Sequence, residues 1–110
     1  MVINMEFLMN PFNLVIQAVK ELYPDTKALI EFNPVIEECG CTTFPYDNGK
    51  PVIDISTNIP VGAAVETLAH ELAHVIAGIV HGHDDTWEDV FDSIHKKYTE
   101  LVEKIINEVN

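Results

Sequence analysis

Four of the chain's five histidines fall between positions 70 and 87, in the segment HELAHVIAGIVHGHDDTW. His70 and His74 stand four residues apart, and around them Val61, Val65, Leu68, Leu72, Val75, Ile76 and Ile79 recur at helical spacing. Side chains four apart on an α-helix lie one above the other on a single face. The segment therefore predicts a helix opened by Pro60 and loosened at its end by Gly78 and Gly82. One side of that helix is apolar and must be covered by the rest of the chain. The other carries two imidazoles, and imidazoles crowded in this way point to a metal ion.

The elements available to cover such a helix follow from the remaining pattern. Asn10-Pro11 reads as an N-cap followed by proline in the first turn. Phe12, Val15, Ile16, Val19 and Leu22 then give a helical face that ends at Tyr23-Pro24-Asp25. Residues 28–32 (ALIEF) read as a strand, and a second strand is expected between Val35 and Phe44, broken near Gly40. Asp47-Asn48-Gly49 is a hairpin turn signal leading into an apolar strand from Pro51 to Ser56. Asp85, with Glu88 three residues on, resembles a capping box for a last helix. That helix carries Trp87, Val90, Phe91, Ile94, Tyr98, Leu101, Val102, Ile105 and Val109 on one side. The expectation is a single α+β domain spanning residues 1–110, with a small, mostly antiparallel sheet.

Charge narrows the function. Eighteen carboxylates stand against six basic residues, all of them lysine, for a net charge of −12. A nucleic-acid partner needs cations along the phosphate track, and an anionic membrane surface needs them too. Neither is expected here, and no run approaches the roughly 18 apolar residues that span a bilayer. The N-terminal segment lacks a basic start and a small-residue cleavage site, so it does not read as a signal peptide. Cys39 and Cys41 are separated by one residue, too close for an unstrained bridge, and read as reduced thiols of a cytoplasmic protein.

The chemistry is concentrated in H-E-x-x-H. His70 and His74 can reach one ion, while Glu71 points aside, where a carboxylate can act on a water at the metal rather than on the metal itself. Zinc suits such a site: neutral imidazole is a good ligand, and three protein ligands leave a position for water, whose pKa the ion lowers to around 7. The third ligand must come from downstream. His83 and His81 are the candidates, followed by a carboxylate of the last helix, Glu88 or Asp92. Asp84 and Asp85 are placed either to orient a ligand histidine or to cap the last helix. His95 reads as an ordinary half-exposed residue and Tyr98 as core or rim.

The metzincin pattern fails, because Ala77 and Val80 occupy its glycine and histidine positions. The helical H-E-L-A-H followed by Gly82-His83 and, four positions after that histidine, by Trp87 resembles the SprT-like zinc metallopeptidases instead. The resemblance covers roughly residues 50 to 98. It implies a minimal zincin-like fold with an N-terminal helix, an active-site helix and a C-terminal helix. It implies one Zn2+ held by His70, His74 and His83, Glu71 as general base, and Trp87 packing the ligand loop. Substrates in this group are peptides or proteins, held in extended form on an edge strand, here the strand near Val52 to Ser56 or its neighbour near Cys41 to Phe44. SprT-like proteins that act at DNA often carry a zinc ribbon and a basic surface. This chain has no paired C-x-x-C and no arginine, so that activity is not implied.

Two other readings compete. YbeY-like metal-dependent ribonucleases also use two histidines at helical spacing and a third further on. Their pattern lacks a glutamate beside the first histidine and favours a Gly-Tyr-Asp-His ending. A non-catalytic binding module braced by zinc would close the site with a fourth protein ligand, as when His81 and His83 both bind.

Overall fold

The computed structural model describes residues 10–34, 37–47 and 49–109. Val35 and Asn48, placed by the sequence pattern in the second strand and in the hairpin turn, lie outside these residues, as does the segment 1–9. The element order is α1 (Pro11–Leu22), β1 (Leu29–Asn33), β2 (Gly40–Thr43), β3 (Val52–Ser56), α2 (Val61–Ala77) and α3 (Asp85–Val109).

Helix α1 begins as its sequence dictates. The Asn10 Oδ1 accepts from the backbone N–H groups of Phe12 and Asn13 at 3.0 and 3.3 Å, so two of the donors that a helix start leaves unpaired are satisfied. The helix stops before Pro24, which cannot donate to continue it. Its inward face is Leu14, Val15, Ala18 and Val19.

The three strands form one sheet in the order β1-β3-β2. The sheet is mixed, not mostly antiparallel: β1 runs parallel to β3, with Ile30 beside Ile53 and Phe32 beside Ile55, and only β2 is antiparallel to it. The antiparallel strands β2 and β3 flank the Asp47–Gly49 signal on its two sides. The chain leaving β1, however, first crosses beyond β3 to build β2, and then returns to insert β3 in the middle. Burial accounts for the choice of the central strand. Ile53 and Ile55 are 0% exposed, and the most apolar strand gains most from neighbours on both edges. The Asn58 side-chain amide donates to the Pro34 carbonyl and ties together the adjacent exits of the two parallel strands.

Helix α2 lies against β2 and β3 on the face that carries Ile53 and Ile55, Phe12 of α1 meets Phe32 of β1, and α3 packs on α1 and α2. The core joins Val15 and Val19 to Val65, Leu68 and Leu72 and to Val90 and Ile94. Ala64, Ala69 and Ala73 are buried with them, and such small side chains let α2 approach its neighbours closely. Two residues of the apolar α2 pattern lie outside the core: Val61 in the first turn is 64% exposed and Ile79, past the helix end, is 71% exposed. Gly78 ends α2 with φ of +100° and donates its N–H to the His74 carbonyl at 2.9 Å. A side chain is disfavoured at that positive φ, which is the reason for glycine at this turn. Lys97 reaches Glu21 at 3.9 Å and adds a weak surface tie between α3 and α1. Among the described residues no helix is long and apolar enough to cross a membrane.

Candidate metal centre

His70 and His74 project from successive turns of α2. Four residues past His74 the helix stops at Gly78, the His81 N–H donates to the Gly78 carbonyl at 3.1 Å, and the chain folds back. This reversal delivers His83. The three Nε2 atoms then face one another: 3.2 Å from His70 to His74, and 3.0 Å from His83 to each. Among the described residues these three form the only group of histidine, cysteine or carboxylate side chains placed to hold a metal ion. Neutral imidazole nitrogens with lone pairs converging on one point gain little from each other and much from a shared cation. A tetrahedral zinc ion with bonds near 2.0–2.1 Å sets its ligand nitrogens about 3.3–3.4 Å apart. The observed triangle needs to open by only a few tenths of an ångström, so the residues present fit the ion.

Burial conditions two of the three rings. It lowers the pKa of His70 below 6.5, with the charge of His83 adding to the effect and Glu66 opposing it. Burial likewise lowers the pKa of His74, against the pull of Glu71. In both rings the shift favours the neutral form, the one that binds metal.

Trp87 organises the three rings. Its Nε1 donates to the His70 carbonyl at 3.2 Å. The indole centroid lies 4.7 Å from the rings of His70 and His83 and 5.4 Å from that of His74, and on its other side it stacks on Phe91 at 5.1 Å. The aromatic that opens the last helix thus packs against the loop that carries His83.

His81 does not join the cluster. Its Nδ1 meets the Asp84 Oδ2 at 2.6 Å. Asp84 also caps α3, with its Oδ1 accepting from the Trp87 N–H at 3.1 Å. The cap is therefore Asp84 and not Asp85, which sits one position later in the first helical turn. The hydrogen bonds from His81 and Trp87 hold the Asp84 carboxyl below its usual pKa. Asp84 braces the turn that presents His83 by bonding both ends of it. Glu88, Asp92 and His95 are exposed on α3 and lie outside the ligand group, and Tyr98 is half-buried against the core.

Glu71, between His70 and His74 in sequence, is 6% exposed. The Thr42 hydroxyl donates to its Oε2 at 3.2 Å and also lies 3.4 Å from its backbone carbonyl. Burial raises the Glu71 pKa above 4.5; the nearby His74 and the Thr42 hydrogen bond act in the opposite sense, and Glu38 adds to the rise. Neither Thr42 nor Gly40 is singled out by local motif. Gly40 does not break the second strand but starts it. A Cβ there would run into the Thr67 Cγ2 and sit 3.2 Å from the Glu71 Cγ. Glycine inside a strand often marks such a close approach, which is the one sequence signal that bears on it.

A cleft of about 300 Å3 opens at this point, lined by Cys39, Gly40, Ala63, Glu66, His70 and Glu71. Its strand side is β2. The antiparallel ladder pairs Cys39 with Ser56, whose N–H donates to the Cys39 carbonyl at 2.9 Å, and the register continues through Cys41–Asp54 and Thr43–Val52. Bonded pairs alternate in such a ladder, so the main-chain groups of Gly40 and Thr42 point away from β3, toward the open edge. Strand β3 lies between two partners and cannot be the edge that receives an added strand; β2 is that edge on the cleft side. Cys39 is exposed and Cys41 half-buried, both as free thiols. The chain matches no protein-family model, no curated protein and no solved structure.

Proposed function

We propose that the protein is a zinc-dependent metallopeptidase of the SprT-like, zincin kind, with His70, His74 and His83 as ligands and Glu71 as general base. The observation that carries this reading is the coincidence of three converging Nε2 atoms at 3.0–3.2 Å with a buried carboxylate on the same helical turn. Zinc held by the three imidazoles would supply Lewis acidity and lower the pKa of water.

The chain's own residues supply the rest. An extended peptide pairs with the outward main-chain groups of Gly40 and Thr42, adding a strand to the sheet. Its carbonyl group is thereby presented to the cleft that His70 and Glu71 line. The Glu71 carboxylate accepts a proton from the attacking water and returns it to the departing amine nitrogen, the usual work of a carboxylate whose pKa burial has moved toward neutrality. Beyond Glu66 the cleft adjoins an apolar hollow of about 330 Å3 lined by Val61, Val65, Ala69, Phe91 and Tyr98, suited to a large apolar side chain of the peptide. The carboxylates of Glu66 and Glu38 beside the cleft favour a cationic substrate over an anionic one, and the net charge of −12 acts in the same direction.

The test is a Glu71→Gln variant, with metal analysis and digestion of fluorescein-labelled, unfolded lysozyme, a basic polypeptide. The variant should retain one zinc per chain and lose cleavage. If the wild type degrades RNA and cuts no polypeptide, the metallopeptidase reading is wrong and the ribonuclease reading replaces it.

A further inference from the structure

The hydrogen bond to the Glu71 carboxylate comes from a residue 29 positions away in sequence, on the strand whose open edge faces the cleft. Among the described residues the Thr42 hydroxyl is the only donor to that carboxylate. The hydroxyl has one proton and two acceptors within reach, Oε2 at 3.2 Å and the Glu71 carbonyl oxygen at 3.4 Å. The nearer one is charged when ionised and is the stronger acceptor. A glutamate side chain turns about three χ angles and has several rotamers to choose from. At this site the choice is narrowed by burial, by the approach of β2 that Gly40 permits, and by this one hydrogen bond.

We propose that Thr42 is a positioning residue, whose hydroxyl holds the Glu71 carboxylate in the orientation that proton transfer needs. This inference rests on reading Glu71 as the base. Its consequence is that base and substrate share one support. The side chain of Thr42 holds the carboxylate on the α2 side of β2, while its main chain faces the edge where a peptide adds. Binding of a peptide and the aim of the base are thus coupled through a single residue. Neither role requires Thr42 to touch the reacting atoms.

The experiment compares Thr42→Val, which keeps the shape and removes the hydroxyl, with Thr42→Ser, which keeps the hydroxyl and removes the methyl. With fluorescein-labelled, unfolded lysozyme, Thr42→Val should lower kcat by roughly ten- to a hundredfold, the loss expected for a hydrogen bond to a charged group. KM and zinc content should be unchanged, and Thr42→Ser should restore kcat to within a few-fold. The second readout needs no activity. In the metal-free protein, NMR couplings along the Glu71 side chain should report one rotamer in the wild type and in Thr42→Ser, and an average over rotamers in Thr42→Val. A single Glu71 rotamer in Thr42→Val, or averaging in Thr42→Ser, overturns the proposal. Should Thr42→Val not fold, Thr42→Ala against Thr42→Ser gives the same contrast. If the NMR contrast holds but neither the wild type nor any variant cuts the basic polypeptide, the metallopeptidase reading fails while the hold on the carboxylate stands.

Discussion

Replacing His83 by alanine removes one corner of the nitrogen triangle and almost nothing else, because His83 is exposed and belongs to a turn rather than to the core. In the metal-free protein the change should cost under about 0.5 kcal/mol, as for other surface substitutions. With zinc the outcome differs. An ion that binds only the folded chain stabilises it by RT ln(1 + [L]/Kd), about 2.7 kcal/mol when free zinc is a hundred times Kd. For 110 residues, an unfolding entropy of roughly 2.1 cal/mol/K per residue turns that into a rise in Tm of about 12 °C. Losing one of three ligands should weaken binding at least a hundredfold. The same zinc concentration then sits near the variant's Kd, leaving a gain of about 0.4 kcal/mol, less than about 2 °C. The assay is calorimetry of both proteins in chelator and in buffered zinc, with His81→Ala as the control. His81 is engaged with Asp84 at 2.6 Å, so His81→Ala should keep most of the zinc-dependent rise. If His83→Ala keeps the full rise and His81→Ala loses it, the ligand assignment drawn from the Nε2 distances is refuted.

Trp87→Phe removes the hydrogen bond to the His70 carbonyl and should weaken zinc binding by about tenfold, as for other groups that orient metal ligands; competition against a chromophoric chelator measures it. Gly40→Ala drives a methyl group into Thr67 and toward Glu71 and should cost about 1–3 kcal/mol, read from urea denaturation. The pH dependence of the metal-free protein has two opposed parts. His70 and His74 have pKa values lowered from 6.5. Their contribution is therefore complete above that value and is lost as pH falls through the folded-state values. The Glu71 pKa is raised from 4.5, so its contribution is complete below 4.5 and is lost as pH rises through the folded-state value. Urea denaturation of the Glu71→Gln variant in chelator removes the second part. It should show stability falling monotonically on acidification below 6.5, and a flat profile there would contradict the burial of the two rings.

The helices were legible because their signals are local. Asn10 and Pro11 start α1, Pro24 stops it and Gly78 stops α2, each through backbone geometry that one or two residues impose. The four-residue spacing of His70 and His74 likewise places both rings on one face whatever the helix packs against. The strand order was not legible. Alternation and turn residues mark where strands and hairpins occur, but nothing in Leu29–Asn33 specifies that it will lie parallel to β3 and leave β2 at the edge. The apolar competition for the central position decides that, and it is settled only when all three strands and the helices pack together.

The amino-acid sequence alone therefore determined that two imidazoles and a carboxylate would share a helical turn, since a 3.6-residue period is a property of the backbone. Tertiary structure decided which downstream histidine completes the set. His81 and His83 differ by two residues, but the turn after Gly78, braced by Asp84, points one at Asp84 and the other at the cluster. It also decided the partner of Glu71: Thr42 is distant in sequence and reaches the carboxylate only because β2 is the edge strand and Gly40 lets it lie close on α2. Contacts of that kind depend on chain crossings that no local pattern encodes.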